Sequence, residues 1–467
     1  MTAGNDAFDL IVLGAGSGGY ACALRAAQLG LRVALVERAE LGGTCLHRGC
    51  IPTKALLHVA EVADTAREAE SVGVRATLAG VDLAGVHAYK DRVVGRLYQG
   101  LQGLVSGAEK ITFVQGDGRL AAPDAVEVAT ADGPLRLTAP SVVLATGSRA
   151  RTLPGLDIGG RILTSDEALR LETLPDRVVV LGGGVIGVEF ASVFRSFGAH
   201  VTVVEALDRL VAAEDPAVST ALARAFRRRG IDVRTGARLA GATQDADGVT
   251  VTVESGDPLR ADLLLVAVGR GPVTQGLGYE EAGVAVERGF VLADERCRTN
   301  VPGVRAVGDI VPGLQLAHRG FAQGIFVAED LAGLHPTPLD ESGIPRVTYC
   351  DPEIASVGLT EAQARERYGE VTTYEYHLGG NGKSQILGTT GFVKLVRRGG
   401  ANQTGPVVGL HMVGARMGEQ VGEAQLIYGW EALPEEVAAL VHAHPTQNES
   451  LGEAHLALAG KPLHAHA

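Results

Sequence analysis

The stretch with the most chemistry in it is Gly42 to Lys54, GGTCLHRGCIPTK, which sets Cys45 and Cys50 five residues apart. Two cysteines at that distance can be a structural staple, a metal clamp or a redox couple. A regular helix would hold residues i and i+5 roughly 8 to 9 Å apart at Cα, whereas a disulfide needs less than about 7 Å. The pair can therefore close only across a distorted backbone. Gly42, Gly43 and Gly49 give the freedom for that, and Pro52 gives rigidity after it. We expect an irregular first turn leading into a helix from about Pro52. Thiols at a helix start are shifted toward thiolate by the unpaired amides and the helix dipole, which suits a working couple. A structural disulfide is the blander reading, disfavoured if the protein works in a reducing compartment. Zinc is weaker still, because its usual cysteine spacings are shorter and no second ligand pair follows.

A second group lies near the end of the chain, in HAHPTQNES: His442, His444, Pro445 and Glu449. A histidine with a carboxylate five residues on suits an oriented general base, the carboxylate holding one ring nitrogen while the other takes a proton. The bland alternative is a solvated His and Glu in a polar loop. Two histidines at i and i+2 lack the further ligands of a metal site, so no metal is expected. His464 and His466 read as a frayed tail.

The elements that must position these residues announce themselves by glycine. An apolar run from Phe8 to Val12 leads into Gly14, Gly16 and Gly19 in G-x-G-x-x-G register. A helix-period stretch then runs to Leu29, with Gly30 as its stop, and a second strand from Arg32 to Val36 closes on Glu37. This is a complete βαβ dinucleotide fingerprint: the first glycine turns, the second admits pyrophosphate, the third lets helix meet strand, and the acid takes ribose hydroxyls. The unit returns with Arg177 to Leu181, Gly182, Gly184, Gly187, a helix to Phe197, and Val201 to Val204 closing on Glu205, 168 residues later. Two copies in one register mean two nucleotide domains and two dinucleotides.

Cys45 lies eight residues beyond Glu37, and eight extended residues reach up to roughly 26 Å. That is enough to run beside a dinucleotide from its adenosine ribose to its reactive ring. The first copy should therefore hold FAD, with the cysteines at its ring, and the second a nicotinamide nucleotide. Glu205 favours NAD over NADP, because a carboxylate binds a free 2′-hydroxyl and repels a 2′-phosphate. Arg209, flanked by Asp208, is not read as a phosphate clamp.

Further apolar strands end on glycine: Ser141 to Ala145 before Thr146 and Gly147, Leu263 to Val268 before Gly269, and Val304 to Val307 before Gly308 and Asp309. The first two read as crossings between domains close to a ligand; Asp309 has an ordinary turn reading beside a functional one. His87 to Gly107 is helical. From about Gly343 no third fingerprint appears; strands at 346–349, 354–357 and 392–396 with a helix at 361–368 indicate an α+β domain.

Composition sets the outer bounds. With 467 residues, 46% hydrophobic and 21% charged, the chain should form two to four globular domains. A net charge of −12 argues against a nucleic-acid partner, and Arg227 to Arg229 reads as a solvated helix end. There is no apolar run of membrane-spanning length and no export signal at the start. Five cysteines leave one deliberate pair and three ordinary small apolar residues, Cys22, Cys297 and Cys350. A cytoplasmic protein away from membranes is expected.

Taken together, GAGSGGY from Gly14, GGTCLHRGCIPTK, ATGS from Ala145, GGGVIGVEF from Gly182, VGD from Val307, DPEIASVGLTE from Asp351 and HAHPT from His442 make the chain resemble the flavin-dependent pyridine nucleotide-disulfide oxidoreductases over nearly its whole length. Within them it is similar to the branch that oxidises dihydrolipoamide. The resemblance implies an α/β protein with two Rossmann-like domains, for FAD (1–150 and 273–342) and NAD (151–272), and a C-terminal α+β dimerisation domain (343–467). It implies that Cys45 is the outer thiol exchanging with substrate, Cys50 the inner thiol against the flavin, and His444, backed by Glu449, the base. It also implies cofactor contacts from Thr44, Lys54, Gly118, Thr146, Gly147, Asp309, Ala317, Glu189 and Gly269, beside the two fingerprints. The base of this family reaches the cysteines of the other subunit of a homodimer. Ser17, where the family often has Pro, and GRGPVT from Gly269, in place of the commoner RxPN, are the departures. Glu205, and the absence of cysteine after Cys350, separate the chain from glutathione- and mercuric-reductase relatives.

The activity so implied is oxidation of protein-bound dihydrolipoamide with NAD, as the E3 component serving the lipoyl domain of a 2-oxoacid dehydrogenase complex. An NADH-dependent reductase of another disulfide and a non-catalytic flavoprotein scaffold on an acyltransferase core are the rivals.

Overall fold

A computed structural model of the chain describes residues 8–465, so His466 lies outside the described residues. The chain divides into two compact units. One takes the chain up to Ala55 with Ala84–Arg151 and Gly269–Glu341; the other takes Leu56–Leu83, Thr152–Val268 and the chain from Ser342 on.

In the first unit, β1 (Leu10–Leu13), α1 (Ser17–Gln28) and β2 (Val33–Glu37) form the first βαβ turn. All four β1 residues are apolar and buried, as a strand covered on both faces of a parallel sheet requires. Then come α2 (Gly43–Arg48), α3 (Cys50–Glu68), α4 (Leu83–Ser106) and β3 (Ile111–Gln115). An antiparallel meander, β4 (Asp117–Ala122), β5 (Ala125–Thr130) and β6 (Gly133–Thr138), follows before β7 (Val142–Leu144) rejoins the sheet. The parallel sheet runs Val304–Ala306, β7, β1, β2, β3. β8 (Ser148–Ala150) pairs antiparallel with Arg270–Pro272, next to two of the points where the chain passes between units. α1 meets the helix Ala317–Leu331 through small residues, and a Cβ on Gly324 would lie 2.2 Å from Gly18 O.

The second unit repeats this plan. Its parallel sheet runs Ile162–Thr164, Leu263–Val266, Arg177–Leu181, His200–Val204, Asp232–Arg234, and an antiparallel meander (Leu239–Asp245, Gly248–Val253, Leu259–Ala261) precedes the strand Leu263–Val266. The registers match too: Leu13 pairs with Val36 in one sheet and Leu181 with Val204 in the other, each leaving its glutamate one position beyond. The fold is thus α/β with two Rossmann-like halves.

The chain from Ser342 on forms an antiparallel sheet in the order Arg346–Thr348, Glu353–Gly358, Val407–Gly414, Phe392–Arg398, Val371–His377, packed with the helices Met417–Gly429 and Glu449–Leu458. Buried charge pairs tie it to the second nucleotide fold within the unit. Lys394 Nζ lies 3.0 Å from Asp215 Oδ1 and 2.9 Å from Glu361 Oε2, and Arg346 Nε lies 3.0 Å from Glu214 Oε1.

Three sequence readings are corrected. α3 begins at Cys50 rather than Pro52, because Gly49 alone interrupts two helices that would otherwise be continuous. Arg229 is no solvated helix end: its guanidinium contacts Asp64 at 3.0 Å, Asp351 at 3.3 Å and Ser196 Oγ at 2.8 Å. His464 is not frayed, since its backbone N–H and ring Nδ1 both bond the Glu453 carboxylate.

Candidate active site

Cys45 and Cys50 form a disulfide with their Cα atoms 4.7 Å apart, far closer than a continuous helix would allow. The break at Gly49 achieves this: a Cβ there would lie 3.1 Å from Thr44 O and 3.4 Å from Cys45 Cα, a crowding that glycine relieves where the two helices meet. Cys50 opens the 19-residue α3. The link from Glu37 does not run extended. It turns back so that Gly42 N–H donates to Ala15 O at 2.9 Å and Gly43, at φ +59°, sits over Gly16, where a Cβ would come within 2.7 Å of Gly16 Cα. The cysteine segment is therefore seated on the first glycine loop.

Both fingerprints have the geometry of a dinucleotide cradle. A Cβ on Gly19 would lie 1.8 Å from Gly14 O, and one on Gly187 1.9 Å from Gly182 O, so each helix starts hard against its own turn. The middle glycine of the second loop, Gly184, faces open space. Glu37 accepts from Ala15 N at 2.7 Å and Ala39 N at 2.9 Å; Glu205 accepts from Gly183 N at 2.6 Å and Leu207 N at 2.7 Å. Each carboxylate is thus fixed beside its loop with lone pairs left for ribose hydroxyls. These residues fit one dinucleotide per copy. Arg209 donates to Ala212 O at 2.8 Å, which engages it within its own loop.

Several of the other expected cofactor residues of the first unit, Thr44, Thr146, Gly147 and Asp309, gather around the β8 ribbon. Ser148 Oγ donates to Asp309 Oδ2, Arg270 donates to Ser148 Oγ and to Ser148 O, both at 2.8 Å, and Thr44 Oγ1 lies 3.5 Å from Ser148 O and from Arg270 Nη2. Thr146 Oγ1 donates to Val273 O at 2.6 Å, and Val273 N–H to Gly147 O at 2.9 Å. Gly118 packs on β1 and β2, where a Cβ would strike Leu13 and Val36. Ala317 opens the helix Ala317–Leu331, Lys54 lies on the first turns of α3, and Gly269 O accepts from Arg151 N–H at 3.0 Å. In the second unit Glu189 is buried and accepts from Tyr349 N–H at 2.9 Å.

His444 and Glu449 also belong to the second unit. His444 Nδ1 lies 2.9 Å from Glu449 Oε1, and a carboxylate only accepts, so Nδ1 carries the proton and Nε2 is the basic nitrogen. The imidazole is 74% exposed. Burial pushes the Glu449 carboxyl up, but the Thr446 N–H at 2.8 Å and His444 outweigh it and hold it below the usual range. The loop is anchored by Asn381 Nδ2 on Thr446 O at 3.0 Å and Gln447 Nε2 on Ala415 O at 2.9 Å. The His444–Pro445 peptide is cis. His442, two residues earlier, points elsewhere, to Glu423 at 2.9 Å, which raises its pKa. The three remaining cysteines are buried, and burial drives the Cys22 and Cys297 thiols up to about 12, away from the thiolate that exchange requires. The arrangement offers thiol–disulfide exchange at one pair, a base, and two nucleotide cradles.

Sequence reasoning passed over His47, between the cysteines. Its Nε2 lies 2.7 Å from Leu41 O and its ring stands edge-on to Tyr98; a histidine inside the redox stretch was itself the available signal.

Comparison with known proteins gives matching results. Residues 8–324 match the family model described as pyridine nucleotide-disulphide oxidoreductase, and residues 344–455 the dimerisation domain of the same family. A dihydrolipoyl dehydrogenase of Bacillus subtilis (strain 168) is 40% identical over 98% of this chain and 99% of its own length. The mitochondrial dihydrolipoyl dehydrogenase of Pisum sativum is 36% identical over 99% of this chain and 94% of its own. Among solved structures, LpdA from Mycobacterium tuberculosis aligns with a TM-score of 0.89 and 27% identity, covering 96% of this chain and 99% of that one. The HOCl-induced flavoprotein disulfide reductase RclA from Escherichia coli aligns at 0.84 and 27%, with the same coverage.

Proposed function

The chain belongs to the pyridine nucleotide-disulphide oxidoreductase family, whose cofactors are FAD and NAD, and from that premise we propose that it oxidises protein-bound dihydrolipoamide with NAD. The observation that carries this reading is the Cys45–Cys50 disulfide seated on the first glycine loop at the head of α3; relatives named dihydrolipoyl dehydrogenase along the full length support the substrate.

In this reading His444 Nε2 takes the proton of one lipoyl thiol while Glu449 steadies the imidazolium. The lipoyl thiolate attacks Cys45, breaking the Cys45–Cys50 bond and leaving Cys50 as thiolate. The second lipoyl thiol resolves the mixed disulfide, so lipoamide leaves oxidised and Cys45 leaves as a thiol. The chemistry supplied by bound FAD is acceptance of the electron pair from the cysteines and its delivery as hydride to NAD. Gly14, Gly16, Gly19, Glu37, Thr44, Lys54, Gly118, Thr146, Gly147, Asp309 and Ala317 hold the flavin nucleotide; Gly182, Gly184, Gly187, Glu189, Glu205 and Gly269 serve the nicotinamide side. The FAD domain takes 1–150 and 273–342, the NAD domain 151–272 and the interface domain 343–467. The protein works as a homodimer in which His444 serves the partner's disulfide, in the cytoplasm, on the lipoyl domain of a 2-oxoacid dehydrogenase complex. Exposed Leu440 and Val441, just before the base, suit an interface there.

Anaerobic titration with dihydrolipoamide tests this. A long-wavelength thiolate-to-flavin band should appear, and Cys50→Ser should abolish both the band and NAD reduction. A Cys50→Ser protein that reduced NAD at the wild-type rate would sink the reading. Faster turnover of glutathione disulfide from NADH would favour the other-disulfide reductase instead.

A further inference from the structure

α2, which carries Cys45, is only six residues long, too short to hold a helical shape unaided. Its start rests on the first glycine loop through Gly42 and Gly43, and Leu46 is buried beneath it. Burial is non-directional and does not fix which way the segment faces. His47 supplies the direction. Its Nε2 lies 2.7 Å from Leu41 O, and a carbonyl only accepts, so Nε2 carries the proton and the ring closes residues 41–47 into a loop. Tyr98 of α4 meets that ring edge-on, with centroids 5.0 Å apart and planes at 78°, a favoured aromatic geometry.

We infer that His47 is a positioning residue for the cysteine couple: the Leu41–His47–Tyr98 clasp keeps Cys45 facing Cys50 after the disulfide opens. The inference rests on the redox role proposed above. In the oxidised protein the covalent bond itself holds the Cα atoms 4.7 Å apart, and the clasp is redundant. Reduction by a dithiol breaks that bond, forms the donor's own disulfide, and moves two electrons to the cysteine sulfurs, one of the dithiol's protons going to Cys45 and the other to the base. From then on the glycine-loop seat and buried Leu46 still hold the segment, and the clasp with Gly49 keeps the two sulfurs turned toward one another. Re-closure follows the effective concentration of one thiol at the other, so a loosened clasp costs the disulfide more than the dithiol.

The test is a redox equilibrium that involves no lipoyl substrate. FAD-loaded protein is equilibrated anaerobically with reduced and oxidised dithiothreitol at a series of ratios, acid-quenched and alkylated, and the Cys45–Cys50 peptide is read by mass spectrometry. His47→Phe keeps a ring against Tyr98 but removes the donor, and should shift the equilibrium about tenfold toward dithiol, ~30 mV for a two-electron couple. His47→Gln retains an N–H at similar reach and loses only the ring contact with Tyr98, so it should shift in the same direction by about threefold at most. Tyr98→Leu should shift in the direction of His47→Phe, and serves alone if that variant does not fold. Coincident titrations of wild type, His47→Phe and Tyr98→Leu would overturn the clasp. A wild-type pair that does not change state at any ratio would overturn the redox reading beneath it.

Discussion

Glu449 does three things for His444 at once. It fixes the tautomer, in the proposed reaction it steadies the charge the ring would acquire and, by binding Thr446 N–H, it locks the loop that carries the ring. Glu449→Gln keeps the shape but loses the charge, and an amide nitrogen turned toward Nδ1 would force the wrong tautomer. Turnover with dihydrolipoamide should fall roughly 10- to 100-fold, short of the ~10²–10⁴ carried by a general base itself. Hydride transfer from NADH to the flavin, measured in the stopped flow, should be unchanged, because that step moves no thiol proton. A variant equal to wild type in both measurements would remove Glu449 from the mechanism. The dyad was legible in the sequence because its partners are five residues apart. Arg229 and His464 were misread because theirs are not: Asp64 lies 165 positions from Arg229, and Glu453 reaches His464 only after the chain turns back from its last helix.

The two glycine loops are nearly identical as elements, so the assignment of FAD to one and NAD to the other is open to a paired test. A methyl on Gly19 or Gly187 would sit under 2 Å from the carbonyl of Gly14 or Gly182, and each helix would have to lift off its turn. Gly19→Ala should emerge from gel filtration with its flavin absorbance largely lost. Gly187→Ala should keep its flavin, still be reduced by dihydrolipoamide, and fail to pass electrons to NAD. Flavin loss from Gly187→Ala rather than from Gly19→Ala would reverse the assignment. Both loops could be read in advance because glycine spacing is a backbone requirement that side-chain context does not disguise. The strand Val407–Gly414 could not: it is buried along its whole length, with His411 in the middle, so the alternation that marks a half-exposed strand is missing. The helix Met417–Gly429 was hidden by Gly418, Gly422 and Gly429, which lower helix propensity where packing supplies the stability.

At the scale of the molecule, the buried histidines of the second unit set its response to acid. His455 is fully buried; its Nδ1 bonds Leu451 O at 2.6 Å, its Nε2 has no partner, and burial lowers its pKa to about 4. His411 is likewise buried and lowered, bonded to Leu359 O and Ser356 with Asp215 nearby. A histidine depressed by folding is neutral in the native state and takes a proton once unfolded. Its contribution is therefore whole above about pH 6.5 and drains away as pH falls toward the folded value, by about 2–3 kcal/mol at about pH 4.5 for His455. His442, which together with Glu423 faces His455, has the opposite sign: Glu423 raises it, so it stabilises fully below about pH 6.5 and adds no slope in that window. Burial pushes Asp215 up, but the Lys394 ammonium and the Glu361 and Ala217 N–H groups hold it low, so it begins to cost only below its ordinary range near 3.8. His455→Leu keeps a buried apolar side chain, and the Leu451 carbonyl retains its helical N–H partner. Urea midpoints of the FAD-loaded protein at about pH 7 and about pH 4.5 should fall clearly less for the variant than for wild type. An equal fall in both would mean that His455 is not held neutral in the native protein.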